Sequence, residues 1–202
     1  MRTYNLHCMV RRKNPYKQMM QKTQEHTTSD NILSRNFSVT KPGRVYCTDI
    51  TYLYYHTGRK AYLSVIKDIA SGEVVAWKVS MNLELTFVLE SLEQLRTQQV
   101  APQALIHSDQ GFHYTSPAYR HRVKLLGLVQ SMSRKGNCID NAPIESFFGH
   151  FKDELEYRHC TTFEELQAMV NTYMYHYNNN RPQWGLQKMT PVNYRNHLLQ
   201  TA

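Results

Sequence analysis

The sequence predicts an α/β fold, a mixed five-stranded sheet flanked by helices, on three observations. Three strand-like runs follow one another between residues 45 and 80 with only tight turns between them, the pattern of an antiparallel meander. Beyond residue 84, short apolar strands alternate with stretches whose apolar residues recur at helical spacing. At 202 residues the chain can bury the core of one full domain and carry a modest extension, but it is short for two catalytic domains.

The first strand is "VYCTDITYLYY" from Val45, which alternates in a β-like way; the turn "HTGRK" leads into the β-branched run "AYLSVIKDI". A turn at Ser71-Gly72 separates this from the third run, "EVVAWKVS". In "LELTFVLESLEQLRTQ", Leu85, Val88, Leu89, Leu92 and Leu95 share one helical face, so this helix packs back on the sheet. "ALIHSD" reads as a short strand, "SPAYRHRVKLLG" as a helix ended by Gly127, and "LVQSMS" as a further strand. With Asp140 as N-cap and Pro143 in the first turn, where a missing N–H is harmless, a helix runs through Leu155. Its core stripe is Ile144, Phe147, Phe148, Phe151 and Leu155. Thr162 and Glu165 form a capping box ahead of a further helix, and the chain past Glu145 is mostly helical. The order β-β-β-α-β-α-β-α matches the ribonuclease-H-like architecture, which alone does not settle function.

Composition narrows the class. Hydrophobic residues make up 41% and charged residues 20%, and no apolar stretch approaches the roughly 20 residues of a membrane helix. The N-terminal "MRTYNLHCMVRRKNPYKQ" lacks the apolar run of about 7 to 15 residues of a secretory signal, so the expected location is cytoplasmic, with no membrane partner. Cys8, Cys47, Cys138 and Cys160 form no CxxC pair and read as reduced thiols. The net charge of +8 is uneven: residues 1–44 hold nine Lys/Arg against Glu25 and Asp30, net +7, while residues 45–202 hold 15 against 14, net +1. A basic arm beside a near-neutral domain suits a polyanion such as DNA, although a merely solvated segment has the same composition.

Three acids stand in positions that could carry chemistry. Asp49 lies inside the first strand, where an unpaired charge is costly unless it binds a metal, and Asp109 stands where "ALIHSD" runs into "QGFHYTS". On the helix within "SRKGNCIDNAPIESFFGHFKDELEY", Glu145 lies about 140° around from Asp140, so those two acids do not serve one site. Lys152 falls only about 20° from Glu145 on the same face, whereas Asp153 and Glu154 turn outward as solvated charges. Three carboxylates from two strands and a helix would suit Mg²⁺, and two such ions about 3.5–4 Å apart serve in-line phosphodiester displacement. With 16 acids in the chain, spacing alone is weak support.

The flanking residues add to it. "TDITYL" around Asp49, "HSDQGFHYTS" around Asp109, "SMSRKGNCIDNAPIESFFGHFKDE" around Glu145 and "YNNNRPQWGLQKMTP" closely resemble, in one order, the IS3-family insertion-sequence transposases. The catalytic region of that family is an integrase core of the retroviral-integrase type. Asp109 and Glu145 are separated by 35 residues, the spacing of the family's D,D(35)E triad. The resemblance implies catalytic, metal-binding roles for Asp49, Asp109 and Glu145 with two Mg²⁺ ions, for which Mn²⁺ substitutes. It places Lys152 near the reacting phosphate, with Arg181, Arg134 and Lys135 as further DNA-binding candidates; His107 and Asn141 match motif positions that are either supporting or structural. The implied chemistry is nicking at an element end followed by attack of the freed 3′-OH on another phosphodiester, in the bacterial cytoplasm at the nucleoid. The implied partners are DNA ends and target, further copies of the chain, and an upstream reading frame joined by fusion.

Two departures stand out. Tyr46 occupies a position where the family usually has Trp. Family members also carry more upstream sequence, so residues 1–44 are expected to be the tail of a truncated DNA-binding region. Residues 45–160 are then the integrase catalytic core and 161–202 its helical C-terminal part. The competing reading is a noncatalytic DNA-binding remnant or regulator of a transposase; a general nuclease of the same fold is a third.

Overall fold

The protein is described as a computed structural model covering residues 27–98 and 100–201; the greater part of the basic arm lies outside these described residues. Strands β1 (Val45–Tyr55), β2 (Arg59–Asp68) and β3 (Val74–Ser80) form the expected meander, in register from Tyr46↔Asp68 to Tyr55↔Arg59 between the first two. The hairpin closes over three residues in which His56 and Gly58 take φ of 49° and 91°, a reversal that glycine makes without strain. Strands β4 (Leu105–Ser108) and β5 (Val129–Met132) join on the other side of β1 and run parallel to it, giving the sheet order β3-β2-β1-β4-β5. Parallel neighbours need crossovers. These are α1 (Leu85–Glu93), then the single turn α2 (Phe112–Thr115) with α3 (Pro117–Leu125). Helices α4 (Ala142–Glu154), α5 (Phe163–Asn179) and α6 (Pro191–Gln200) complete the chain.

Because strand side chains alternate between faces, the two sides of the sheet carry separate cores. On one, Cys47, Leu53, Leu63 and Val65 meet Ile144, Phe147 and Phe151 of α4 and Val170, Met174 and Tyr177 of α5. On the other, Tyr46, Ile66 and Ile106 meet Phe87, Val88 and Leu92 of α1 and Tyr119 and Val123 of α3. The α4 stripe is the one its periodicity predicts, and each buried phenylalanine contributes about 1.5–3 kcal/mol. Phe147 packs edge-on against Tyr177 with ring centroids 4.9 Å apart. This ties α4 to α5 on the sheet face that carries Cys47 and Leu53 of β1. The Thr162–Glu165 capping box forms as expected, with the Glu165 N–H 3.1 Å from Thr162 Oγ1.

Two expectations for the α4 region are corrected. Asp140 is not the N-cap: it lies in a 3₁₀ turn, Cys138–Asn141, and α4 starts at Ala142 without a side-chain cap. Its fully buried carboxylate is taken by arginine partners, stronger donors than the amide of a helix end. Glu154 is not a plain solvated charge either, since it accepts hydrogen bonds from Arg181 and the Tyr173 hydroxyl. Among the described residues no helix is long and apolar enough to cross a membrane.

Candidate active site

Asp49 lies midway along β1, opposite Val65 of β2, on the face shared by Cys47 and Leu53 and covered by α4. Between β1 and β4 the register is Val45↔Leu105 and Cys47↔His107. Carried two residues further, it sets Asp109 beside Asp49, just where the ladder stops and β4 ends. The carboxyl ends of parallel strands leave a crevice where a sheet changes direction, and β1 is the strand at which this sheet passes from antiparallel to parallel pairing. Helix α4 starts over this crevice. The Asn141 side chain reaches the carbonyl of Thr48, next to Asp49, at 3.5 Å, and Lys67 Nζ donates to the Pro143 carbonyl at 3.3 Å. Glu145 stands exposed in the first turn of α4, and Lys152 two turns on.

The electrostatics tie these residues together. Burial pushes the Asp49 carboxyl up to about 7, the charges of Asp109 and Glu145 add to the rise, and the Ile50 N–H, 2.7 Å from Oδ1, and Lys152 oppose it. Asp109 is likewise raised by burial against a 2.8 Å hydrogen bond from the Gly111 N–H. Burial lowers Lys152, and Asp49 holds it up. Asp49 thus feels Asp109 just past the end of β4 and both Glu145 and Lys152 on α4. Gly111 sits so close that a Cβ there would meet Asp109 Oδ1 at 2.8 Å.

Among the described residues, no three His, Cys, Asp or Glu side chains converge closely enough to grip a metal ion. Asp109 is turned back onto its own loop, Glu145 is exposed, and carboxylates without a counter-charge repel. The chemistry of the donor set nevertheless fits a divalent cation of the magnesium type: hard oxygens only, one of them an acid raised toward neutrality by burial and, further, by its like-charged neighbours.

The remaining sequence candidates fall elsewhere. Arg181 is bound to Glu154 through Nε at 2.9 Å and lies over the Tyr177 ring, so its guanidinium is engaged by the chain's own groups at the surface. Arg134 grips Asp140, and Lys135 stands exposed on the adjoining turn. His107 is fully buried, with Nδ1 2.9 Å from Ser131 Oγ. Sequence reasoning missed the partners of Asp140: Asn31 Nδ2 at 3.0 Å and Arg35 Nε at 2.6 Å, both more than one hundred residues upstream. No local spacing announces a contact of that range.

Family models of the integrase core domain match residues 39–138 and 126–191. A transposase-like protein of Haemophilus influenzae is 37% identical over 172 residues, which cover 85% of this chain and 79% of that protein. The InsK protein of insertion sequence element IS150 in Escherichia coli, named as a transposase, is 37% identical over 171 residues. The match takes in 84% of this chain but 60% of that protein, so the chain spans less than two thirds of this relative. The HTLV-2 integrase catalytic core domain, solved with magnesium in a dimeric form, superposes with a TM-score of 0.61 at 16% identity, covering 77% of this chain and 97% of that one. The likeness is one of fold, the ribonuclease-H-like core.

Proposed function

Because the chain belongs to the integrase core domain family, with insertion-sequence transposases of the IS3 type as its relatives, we propose that it is the catalytic core of a DNA transposase. In this reading it nicks DNA and joins the freed 3′-hydroxyl to a second phosphodiester. The observation that carries the reading is the register that sets Asp109 beside Asp49 at the crevice where α4 begins, with burial and the charges of Asp109 and Glu145 raising the Asp49 carboxyl.

Asp49, Asp109 and Glu145 would hold two Mg²⁺ ions, or Mn²⁺ in their place; ions so bound activate an attacking oxygen and stabilise the leaving oxygen of an in-line displacement. The chain's own groups prepare this. Asp49, raised to about 7, is partly protonated at neutral pH and would give up that proton on holding a cation. Lys152, in electrostatic reach of Asp49, offers a cation to the phosphate, and Lys135 extends the basic surface. No side chain serves as nucleophile, since water attacks in nicking and a DNA hydroxyl in joining. The DNA partners are the element ends and the target. A second copy of the chain is expected to share them, in keeping with the dimeric form of the HTLV-2 core. Residues 1–44 then form a basic arm ahead of a core at 45–160 and its helical part at 161–202.

The test is strand transfer by the full chain on a pre-cut element end with Mg²⁺ or Mn²⁺. Asp109→Asn and Glu145→Gln should each lose about a hundredfold or more, the scale that a few kcal/mol of charge stabilisation implies. Full activity in either variant refutes the assignment. Salt-sensitive DNA binding without cleavage would favour a noncatalytic binder, and cleavage without joining a nuclease.

A further inference from the structure

The buried acid Asp140 is the centre of a cluster whose other members come from outside the crevice. Its Oδ2 accepts from the Arg134 N–H at 3.0 Å, Arg134 Nε at 2.9 Å and Asn31 Nδ2 at 3.0 Å, and its Oδ1 accepts from Arg134 Nη2 at 2.9 Å and Arg35 Nε at 2.6 Å. The Arg134 fork, with Arg35 beside it, holds this carboxyl well below the usual carboxylate range. Arg35 also reaches Asn137 Oδ1 at 2.8 Å, so it spans both ends of the turn that precedes α4.

Arg35 is delivered by a strap laid on β5. Ile32 and Leu33 donate their N–H groups to Ser131 Oγ at 3.0 and 3.2 Å, and the Met132 N–H donates to the Asp30 carbonyl at 3.2 Å. The strap ends in a turn where Ser34 and Arg35 both take positive φ, 46° and 63°. Two successive non-glycine residues in that region are strained and persist only where their surroundings hold them. Ser34 is held by Asn31, its N–H donating to Asn31 Oδ1 and its hydroxyl to the Asn31 carbonyl, both at 2.9 Å, while Asp140 holds Arg35 and Asn31. From Asp140 the chain passes through Asn141, whose side chain touches the Thr48 carbonyl beside Asp49, into the first turn of α4 and Glu145.

We propose that Asp140 is a positioning residue for Glu145, and that its clamp makes the placement of Glu145 depend on the strap at residues 29–36, upstream of the core. The strap holds Arg35, Arg35 and Arg134 hold the turn through Asp140, and the turn sets where α4 begins over the crevice. The inference rests on Glu145 being a cation ligand, as proposed above.

The experiment uses the full chain and Mn²⁺ alone as probe, with affinity measured by calorimetric titration and backbone opening by hydrogen exchange across residues 134–150. Wild type, Glu145→Gln, Arg35→Ala, Arg35→Lys and Asp140→Asn are compared, together with kcat and KM for strand transfer. Arg35→Ala is expected to weaken Mn²⁺ binding about tenfold, a change of about 1.4 kcal/mol, and to speed exchange in 134–150. It should lower kcat with KM for DNA little changed, and excess Mn²⁺ should restore part of the loss. Arg35→Lys, which keeps the charge but not the fork, should fall between, and this variant carries the test should Arg35→Ala fail to fold. Mn²⁺ affinity unchanged in the folded Arg35 variants and in Asp140→Asn overturns the clamp. A wild type whose Mn²⁺ binding is indifferent to Glu145→Gln overturns instead the function on which the clamp rests.

Discussion

Replacing Asp49 by Asn should make the cation-free protein more stable, and the gain should depend on pH in a definite way. The fold raises this carboxyl from 3.8 to about 7, so the native state favours the protonated acid. Below pH 3.8 the acid is protonated whether the chain is folded or not, and its burial carries no ionic cost. Between pH 3.8 and 7 the unfolded chain releases the proton while the folded chain keeps it, so stability falls as pH rises and the loss is complete above 7. About three pKa units at 1.36 kcal/mol each set an upper bound of about 4 kcal/mol. Solvent access and relaxation reduce this to the order of 2 kcal/mol, or about 4–8 °C in Tm for a chain of this size. Asn keeps an oxygen to accept the Ile50 N–H and carries no charge, so Asp49→Asn should melt higher than wild type at pH 8 in EDTA and equal to it near pH 4. Saturating Mg²⁺ should stabilise the wild type, by about 2.7 kcal/mol at one hundred times its Kd, and narrow the gap at pH 8. A gap that is absent, or flat from pH 4 to 8, refutes the account of Asp49.

Other perturbations follow from the same geometry. Gly111→Ala should leave Tm within about 1 °C, because the glycine φ is an ordinary −64°; yet its Cβ displaces Asp109 Oδ1, so strand transfer should fall at least about tenfold. Phe147→Ala should destabilise by about 3–5 kcal/mol in urea denaturation, since the ring is fully buried against Tyr177. Thr162→Ala removes one side of the capping box and should cost about 1 kcal/mol with no change in DNA binding. Lys152→Ala should weaken DNA binding across sequences and reduce the salt slope of log K by about one, measured by fluorescence anisotropy from 50 to 200 mM salt, with Tm unchanged.

Much of this architecture was legible in the sequence because it rests on local periodicity. The alternation in "VYCTDITYLYY", the Ile144–Phe147–Phe148–Phe151 stripe and the Thr162–Glu165 box each depend on residues a few positions apart, and each forms as its pattern predicts. Helical spacing likewise put Glu145 and Lys152 on one face, and both act on Asp49. The roles of Asp140, Glu154 and Arg181 were not legible. Asp140 has the residue type and position of a cap, and Arg181 that of a DNA contact or a packing residue. Their fates are set by partners 105 and 27 residues away, Arg35 and Glu154.

By itself the sequence determined the elements, their buried faces and a set of acids resembling a known triad. Only the tertiary structure decided which charges meet. A side chain's period along its own element tells which way it faces but not what it faces, and a buried carboxylate takes whichever donors the packed fold brings within hydrogen-bond range. For Asp140 those donors are Arg35 and Arg134; for Asp49 the neighbours are Asp109, Glu145 and Lys152.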